Sequence, residues 1–76
     1  MPQLRKLSGQ ELIKILCNKL GFKAVRKAGS HVILIKETSA GKIGTVVPIH
    51  EELKIGTILG ILRKANLKPD DITPFL

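Results

Sequence analysis

The stretch that decides the fold is Lys27-Ala28-Gly29-Ser30-His31-Val32-Ile33-Leu34-Ile35. A glycine turn opens directly into a run of β-branched and aliphatic residues, which predicts a strand over Ser30–Lys36 with His31 near its start. The run Val32–Ile35 is apolar on both faces, so this strand is expected at the centre of a sheet or against a partner. A histidine at such a junction lies on ordered backbone close to solvent, which suits a group that transfers protons near neutral pH.

One strand is predicted on each side of this central strand in the sequence. Residues 22–27 mix basic and apolar side chains, so one face of the first strand is expected to be solvated. Thr45–His50 are predicted to form the third strand, and Pro48 assigns it to a sheet edge because proline cannot donate to the ladder. Residues 37–44 are rich in glycine and small polar residues and are predicted to be a loop. The three strands are expected to form one antiparallel sheet.

The first of two predicted helices has clear start and stop signals. Ser8 is the expected N-cap, and Glu11 completes a capping box at the spacing that this motif requires. Apolar residues then recur at helical spacing until Gly21, whose expected left-handed conformation ends the helix. The second helix is predicted from about Thr57 to Ala65.

The second helix contains a glycine, and a short turn follows it. Gly60 is expected to permit close packing against the sheet, since glycine inside a helix costs about 1 kcal/mol relative to alanine. Asn66 is the expected cap, Pro69 begins a further helical turn, and Pro74 limits that helix to about one turn. The order α-β-β-β-α predicts an α+β two-layer sandwich, with a three-stranded antiparallel sheet and both helices on one face, as a single domain over residues 1–76.

Composition restricts the classes of function. The 76 residues include 13 Lys plus Arg and 6 Asp plus Glu, and the resulting net charge of +7 favours polyanionic partners, nucleic acid first. No stretch approaches the roughly 18 apolar residues of a membrane-spanning helix, and residues 1–6 lead into no signal-peptide core.

Cys17 is the single cysteine and lies within the apolar pattern of the first helix, so it excludes an internal disulfide and fits a reduced, cytoplasmic setting. No metal site or other cofactor is expected, because the two histidines and one cysteine lack metal-ligand spacing.

A hairpin between the second and third strands is expected to bring the two histidines together. If its loop is centred near Ala40 and Gly41, His31 lies opposite His50, and a slip of one residue would move one histidine to the other face. Two imidazoles amid cationic side chains can cut RNA without a metal ion. One removes the proton of a 2′-hydroxyl, and the other protonates the leaving 5′-oxygen. His31 is the candidate base, and His50 is the candidate acid.

The residues around this turn are candidates for contact with RNA. Arg26, Lys27 and Lys36 supply positive charge for the phosphate, and Ser30 in the turn is grouped with them. Gly29 shapes the turn and so positions the base. Each basic residue is equally compatible with a solvated surface that attracts phosphate loosely, and both histidines are compatible with ordinary strand-edge positions.

Short motifs occur in order along nearly the whole chain. They are Leu7-Ser8-Gly9 with Glu11, Leu20-Gly21-Phe22, Gly29-Ser30-His31, Val47-Pro48-Ile49-His50, Lys54-Ile55-Gly56-Thr57 and Ile61-Leu62-Arg63. In this order and spacing they resemble the HicA-type toxins, the mRNA interferases of type II toxin–antitoxin systems. The resemblance implies a fold similar to the double-stranded-RNA-binding domain, catalysis by the histidine that matches His31, and a HicB-type antitoxin that covers the site. It does not imply the role of His50 as the acid.

Three interpretations remain open at the level of sequence. The first is a metal-independent endoribonuclease toxin that leaves 2′,3′-cyclic phosphate and 5′-hydroxyl ends on mRNA. The second is a non-catalytic RNA-binding module with the same fold, which only a cleavage assay distinguishes from the first. The third is a protein-binding element: if one face of residues 32–35 packs on the helices, the other presents aliphatic side chains to an antitoxin or to a second copy of the chain. The third interpretation can coexist with nuclease activity.

Overall fold

The computed structural model describes residues 7–76, and the elements follow the predicted order. Helix α1 spans Gly9–Lys19, and strands β1, β2 and β3 span Lys23–Ala28, His31–Thr38 and Gly41–Pro48. Helix α2 spans Ile55–Lys64, and a single turn α3, Pro69–Ile72, precedes a 3-10 turn at Thr73–Phe75. The prediction of an α+β chain with the order α-β-β-β-α is confirmed. Residues 1–6, for which no signal-peptide core is expected, lie outside the described residues.

Helix α1 begins at the predicted capping box. The backbone N–H of Glu11 donates to Ser8 Oγ at 3.0 Å, and the backbone N–H of Ser8 donates to Glu11 Oε1 at 3.1 Å. These two bonds satisfy donors at the helix N-terminus that have no partner inside the helix. At the other end, Gly21 has a φ of +80° and turns the chain toward β1, as the sequence predicts.

Asn66 lies two residues beyond the end of α2 and terminates the helix in the left-handed conformation, with a φ of 58°. The N–H of Leu67 donates to the carbonyl of Leu62 at 2.8 Å, and the N–H of Asn66 donates to the carbonyl of Arg63 at 3.1 Å, which is the bond pair of a Schellman motif. The prediction of Asn66 as a cap is confirmed. The prediction for Gly60 is wrong, because this residue is exposed and a Cβ added there would have no heavy atom within 4 Å.

The sheet is antiparallel with the strand order β1-β2-β3, so β2 is central and β3 is an edge strand, as predicted. The prediction of a loop at residues 37–44 is wrong, because β2 continues to Thr38 and β3 already begins at Gly41. Thr38 Oγ1 accepts from the N–H of Ala40 at 3.2 Å and donates to the carbonyl of Gly41 at 2.8 Å. A two-residue turn therefore replaces the loop. Glycine and small polar residues suit solvated strand ends as well as loops, and periodicity alone does not distinguish the two.

The shorter turn changes the pairing of β2 with β3. His31 pairs with Pro48, and Leu34 pairs with Thr45. The prediction that His31 lies opposite His50 is therefore wrong by two positions. Because side chains alternate with a period of two, this even shift leaves each residue on the face where the predicted pairing placed it.

Buried side chains from both helices and from one face of the sheet form a single core. Its members are Leu7, Leu12, Leu16, Phe22, Leu34, Val47, Leu53, Ile58, Ile61, Leu62, Ala65 and Ile72, with Cys17 half-buried against them. Both helices pack on the same face of the sheet, as predicted. Among residues 7–76, Thr45 is the one buried polar side chain, and its hydroxyl donates to the carbonyl of Ile61 at 2.9 Å, which links β3 to α2. No helix in this range is both long and apolar enough to cross a bilayer.

The opposite face of the sheet, called here the outer sheet face, is not covered by the helices. Side chains alternate along β2, so Ile33 and Ile35 point away from the buried Leu34, and both are half-buried. In β1 the register shifts at a bulge that contains Val25, whose side chain is 54% exposed. One apolar face of β2 therefore packs in the core, whereas the other lies on the outer sheet face, which no helix covers.

Candidate active site

His31 is the first residue of β2 and is held by a strand on each side. The turn before it contains Gly29, whose φ of +60° lies in the left-handed region that glycine adopts without a Cβ clash. His31 pairs with Ala28 of β1 and with Pro48 of β3, and it is exposed. His31 thus has an ordered backbone and a side chain that solvent can reach, as the sequence predicts.

Two adjoining clefts meet at His31 and form a groove between β3 and α2, called here the α2 groove. The clefts have volumes of about 320 and 420 Å³, and both are lined by His31, Pro48 and Thr57. The first cleft runs toward the C-terminus of α2 and is also lined by Val46, Gly60, Ile61 and Lys64. The second runs past the N-terminus of α2 and is also lined by His50, Glu52, Leu53 and Lys54.

A lysine lies at each end of the α2 groove. Lys54 is the N-cap residue of α2, and Lys64 is the last residue of the helix. Their separation along the helix is on the order of 15 Å, since each residue adds about 1.5 Å. Thr57 lies two helical turns before Lys64 and therefore on the same side of α2. Glu52 borders the groove near Lys54, so the end at Lys64 is the more cationic one.

His50 lies two residues beyond the end of β3 and is exposed. Its segment is fixed by two backbone bonds. The N–H of Ile49 donates to the carbonyl of Ser30 at 2.6 Å, and the N–H of Gly9 donates to the carbonyl of His50 at 2.8 Å. His31 and His50 are therefore not cross-strand partners, but they lie at the same end of the sheet and border the same cleft.

The start of α1 packs against this segment at very short range. A Cβ added at Gly9 would overlap the carbonyl oxygen of Pro48 and would lie 3.0 Å from the Cα of Ile49. The absence of a side chain at Gly9 therefore allows the helix to approach the strand end that borders the α2 groove.

The predicted RNA-binding residues lie outside the lining of the α2 groove. Arg26 and Lys27 belong to β1, the strand farthest from β3. Lys36 lies near the opposite end of β2, where its ammonium group is 5.9 Å from the centre of the Phe22 ring. Ser30 alone adjoins the histidine, in the turn that precedes it. The lysines that line the same clefts as His31 come instead from the two ends of α2.

Sequence reasoning missed the groove residues Lys54, Thr57, Gly60 and Lys64. A signal exists for the last three, because their spacing places them on one side of a helix. What the spacing does not show is which neighbour that side of α2 approaches. The contact between Thr45 and the carbonyl of Ile61 brings it beside the edge of β3.

The α2 groove offers two imidazoles, a hydroxyl, two ammonium groups and, near Lys54, a carboxylate. The imidazoles can accept or donate a proton, the hydroxyl can donate a hydrogen bond to a phosphate oxygen, and the ammonium groups can neutralise phosphate charge. Within the described part of the chain, no three side chains of His, Cys, Asp or Glu are grouped so that they could hold a metal ion.

Residues 9–67 match a family model that is described as the HicA toxin of bacterial toxin-antitoxin. The chain belongs to the HicA toxin family. The matched range contains α1, the whole sheet and α2, and so the entire α2 groove of this HicA-family toxin. Membership of a toxin–antitoxin family implies an antitoxin partner. No curated protein and no solved structure matches the chain.

Proposed function

We propose that this HicA-family toxin is a metal-independent endoribonuclease that cuts mRNA in the cytoplasm, with His31 as its general base. The observation that supports this proposal best is the position of His31, which is exposed at the start of the central strand, paired on both sides, in a groove with a lysine at each end. The net charge of +7 adds long-range attraction for a polyanion. Residues 1–76 would act as one HicA-like domain.

In the proposed reaction, His31 accepts the proton of a ribose 2′-hydroxyl, and the 2′-oxygen forms a bond to the adjacent phosphorus. The bond between phosphorus and the 5′-oxygen breaks, and the 5′-oxygen takes up a proton, for which His50 is the candidate donor. The products carry a 2′,3′-cyclic phosphate and a 5′-hydroxyl. His31 and His50 line the same cleft, which supports the role of His50 as the acid.

Cleavage of a mixed-sequence single-stranded RNA in excess EDTA tests the proposal. The wild type is expected to leave cyclic phosphate ends, and His31→Ala is expected to be about 100-fold slower or more, since a general base contributes about 10²–10⁴ to the rate. Loss of activity in His50→Ala would support its role as the acid. Because both histidines are exposed, each substitution should change the free energy of unfolding by no more than about 0.5 kcal/mol, which a thermal melt checks.

Two results would contradict this proposal. Equal cleavage rates for the wild type and His31→Ala would exclude His31 as the base. Tight RNA binding without cleavage by the wild type would favour the alternative, a non-catalytic RNA-binding module.

A more distant part of the RNA is expected to contact the predicted basic residues. Arg26 and Lys27 on β1, with Ser30 and Lys36, would hold the phosphate backbone beyond the cleavage site, while Gly29 keeps the turn in shape. The double variant Arg26→Gln/Lys27→Gln should weaken RNA binding and reduce its dependence on salt, because two phosphate contacts are lost. The cleavage rate of bound RNA should not change. Unaltered affinity in a filter-binding titration would contradict this assignment.

We also propose that a HicB-like antitoxin neutralises the toxin by covering the outer sheet face, to which His31 belongs by strand alternation. The half-buried Ile33 and Ile35 and the exposed Val25 form its apolar part, and Arg26 lies in the same region opposite Ile33. This combination fits a partner with apolar and acidic side chains. A second copy of the chain would bring like charges together, so an antitoxin is favoured over a homodimer.

Val25→Glu tests this surface. The added carboxylate should weaken co-purification with the antitoxin while RNA cleavage is retained. Sedimentation equilibrium of the isolated toxin should show a monomer, and a stable dimer without antitoxin would contradict the preference stated here.

A further inference from the structure

One side of helix α2 carries residues that the core does not use. Thr57, Gly60 and Lys64 are exposed, and all three line the first cleft together with His31. Glycine weakens the interior of a helix relative to alanine, yet a Cβ at Gly60 would meet no heavy atom within 4 Å. A residue that is unfavourable in a helix and has no packing reason to be there is typical of a functional position.

We propose that the α2 groove holds the RNA backbone on both sides of the bond that is cut. Lys64 binds a phosphate on one side, and Lys54 binds one on the other. The hydroxyl of Thr57 donates a hydrogen bond to the phosphate at His31, and the bare surface of Gly60 leaves room for the adjoining ribose or base. This inference rests on the proposed endoribonuclease function and identifies the path of its substrate.

The geometry of the groove supports an extended single strand. The two clefts are continuous at His31, Pro48 and Thr57, so the reactive imidazole lies at the middle of the path and not at its end. The distance between Lys54 and Lys64, on the order of 15 Å, is long enough for contacts with more than one phosphate. Lysine recognises phosphate as a point charge, so these contacts position the RNA without selecting its sequence.

A pair of adjacent basic residues provides a matched test of the charge contacts. Lys64 lines the groove, whereas Arg63 is also exposed but is not part of the lining of either cleft. In a His31→Ala background, which keeps the RNA intact, Lys64→Gln should weaken RNA binding about tenfold and reduce the salt slope by about one. Arg63→Gln removes the same charge and should have a clearly smaller effect. Equal losses for both variants would overturn the inference, because a general electrostatic field would explain them.

The two glycines of α2 provide a matched test of the space in the groove. A Cβ meets no heavy atom within 4 Å at either Gly56 or Gly60, but only Gly60 belongs to the groove lining. Gly60→Gln should lower kcat/KM on the order of a hundredfold, since a shift of reacting atoms by about 1 Å has that effect. Gly56→Gln should retain wild-type cleavage. Thermal melts should show both variants folded, and wild-type activity in Gly60→Gln would overturn the proposed path.

Thr57 is tested by a conservative pair of variants. Thr57→Val removes the hydroxyl and should slow cleavage about a hundredfold while RNA affinity changes little, because the bond counts most in the transition state. Thr57→Ser retains the hydroxyl and should restore most of the rate. Equal rates for Thr57→Val and Thr57→Ser would exclude the proposed bond.

These experiments separate failure of the inference from failure of the proposed function. If the wild type cleaves RNA and depends on His31, but the variants at Lys64 and Gly60 behave like their controls, the groove is not the substrate path. If the wild type does not cleave RNA, the proposed function fails, and the binding comparison of Lys64 with Arg63 still decides whether RNA occupies the groove. A Gly60→Gln variant that loses only antitoxin binding would identify the groove as a protein surface and overturn the inference.

Discussion

Replacement of Gly9 by alanine tests how closely the start of α1 must approach the end of β3. A Cβ at Gly9 would overlap the carbonyl oxygen of Pro48 and would lie 3.0 Å from the Cα of Ile49. Both obstacles are backbone atoms, so no side-chain rotation relieves the contact. Overpacking of this kind costs about 1–3 kcal/mol, and a loss of about 2 kcal/mol lowers the Tm of a domain of this size by about 8–16 °C.

The same substitution should also slow RNA cleavage. The N–H of Gly9 donates to the carbonyl of His50 at 2.8 Å, and displacement of α1 would move this segment away from His31. Gly60→Ala is the matched control for stability, since a Cβ there meets no heavy atom within 4 Å and alanine favours the helix by up to about 1 kcal/mol. Thermal unfolding followed by circular dichroism measures both variants. A Gly9→Ala protein as stable as the wild type would refute the argument that this backbone approach excludes a side chain.

Substitutions at two further positions test contacts that support the groove. Thr45→Val removes the hydrogen bond from Thr45 Oγ1 to Ile61, but the Ile61 carbonyl still accepts from the N–H of Ala65 at 3.0 Å, so a loss of only about 0.5–1.5 kcal/mol is expected in urea unfolding. A loss well above this range would show that the contact has a larger role. Asn66→Gly should leave stability nearly unchanged, whereas Asn66→Ala should lower it by about 1 kcal/mol, because the φ of 58° disfavours alanine. Equal stability of the two Asn66 variants in the same assay would contradict this explanation.

The parts of the fold that local chemistry determines were predictable from the sequence. The capping box at Ser8 and the left-handed Gly21 delimit α1, and Gly29 marks the turn before β2. The β2–β3 hairpin was predictable but the length of its turn was not, because the turn residues Ser39 and Ala40 lack the Asn-Gly or Asp-Gly pattern that identifies a two-residue turn. The pairing of β2 with β3 follows from that turn, so an error in its length became an error in the partner of His31.

The candidate site was predictable only in part. His31 is identifiable because its turn and strand are local features. The partners around it depend on packing between elements distant in sequence, such as the contact between Thr45 and the carbonyl of Ile61. Lys36 is close to His31 in sequence but lies toward the other end of a strand that extends about 3.3 Å per residue, whereas Lys64 lies beside the same cleft.

The irregular shape of β1 has a consequence for the behaviour of the free toxin in solution. All six residues of β1 are exposed, and within residues 7–76 the strand has a ladder partner on one side alone. A regular edge strand with one open side is a template for fibril growth, because its unpaired backbone groups can bind another strand. The bulge at Val25 puts the hydrogen-bonding groups of an incoming strand out of step, and the positive charges of Arg26 and Lys27 repel a second copy. The bulge and these charges therefore disfavour pairing of the open β1 edge with a second copy of the chain.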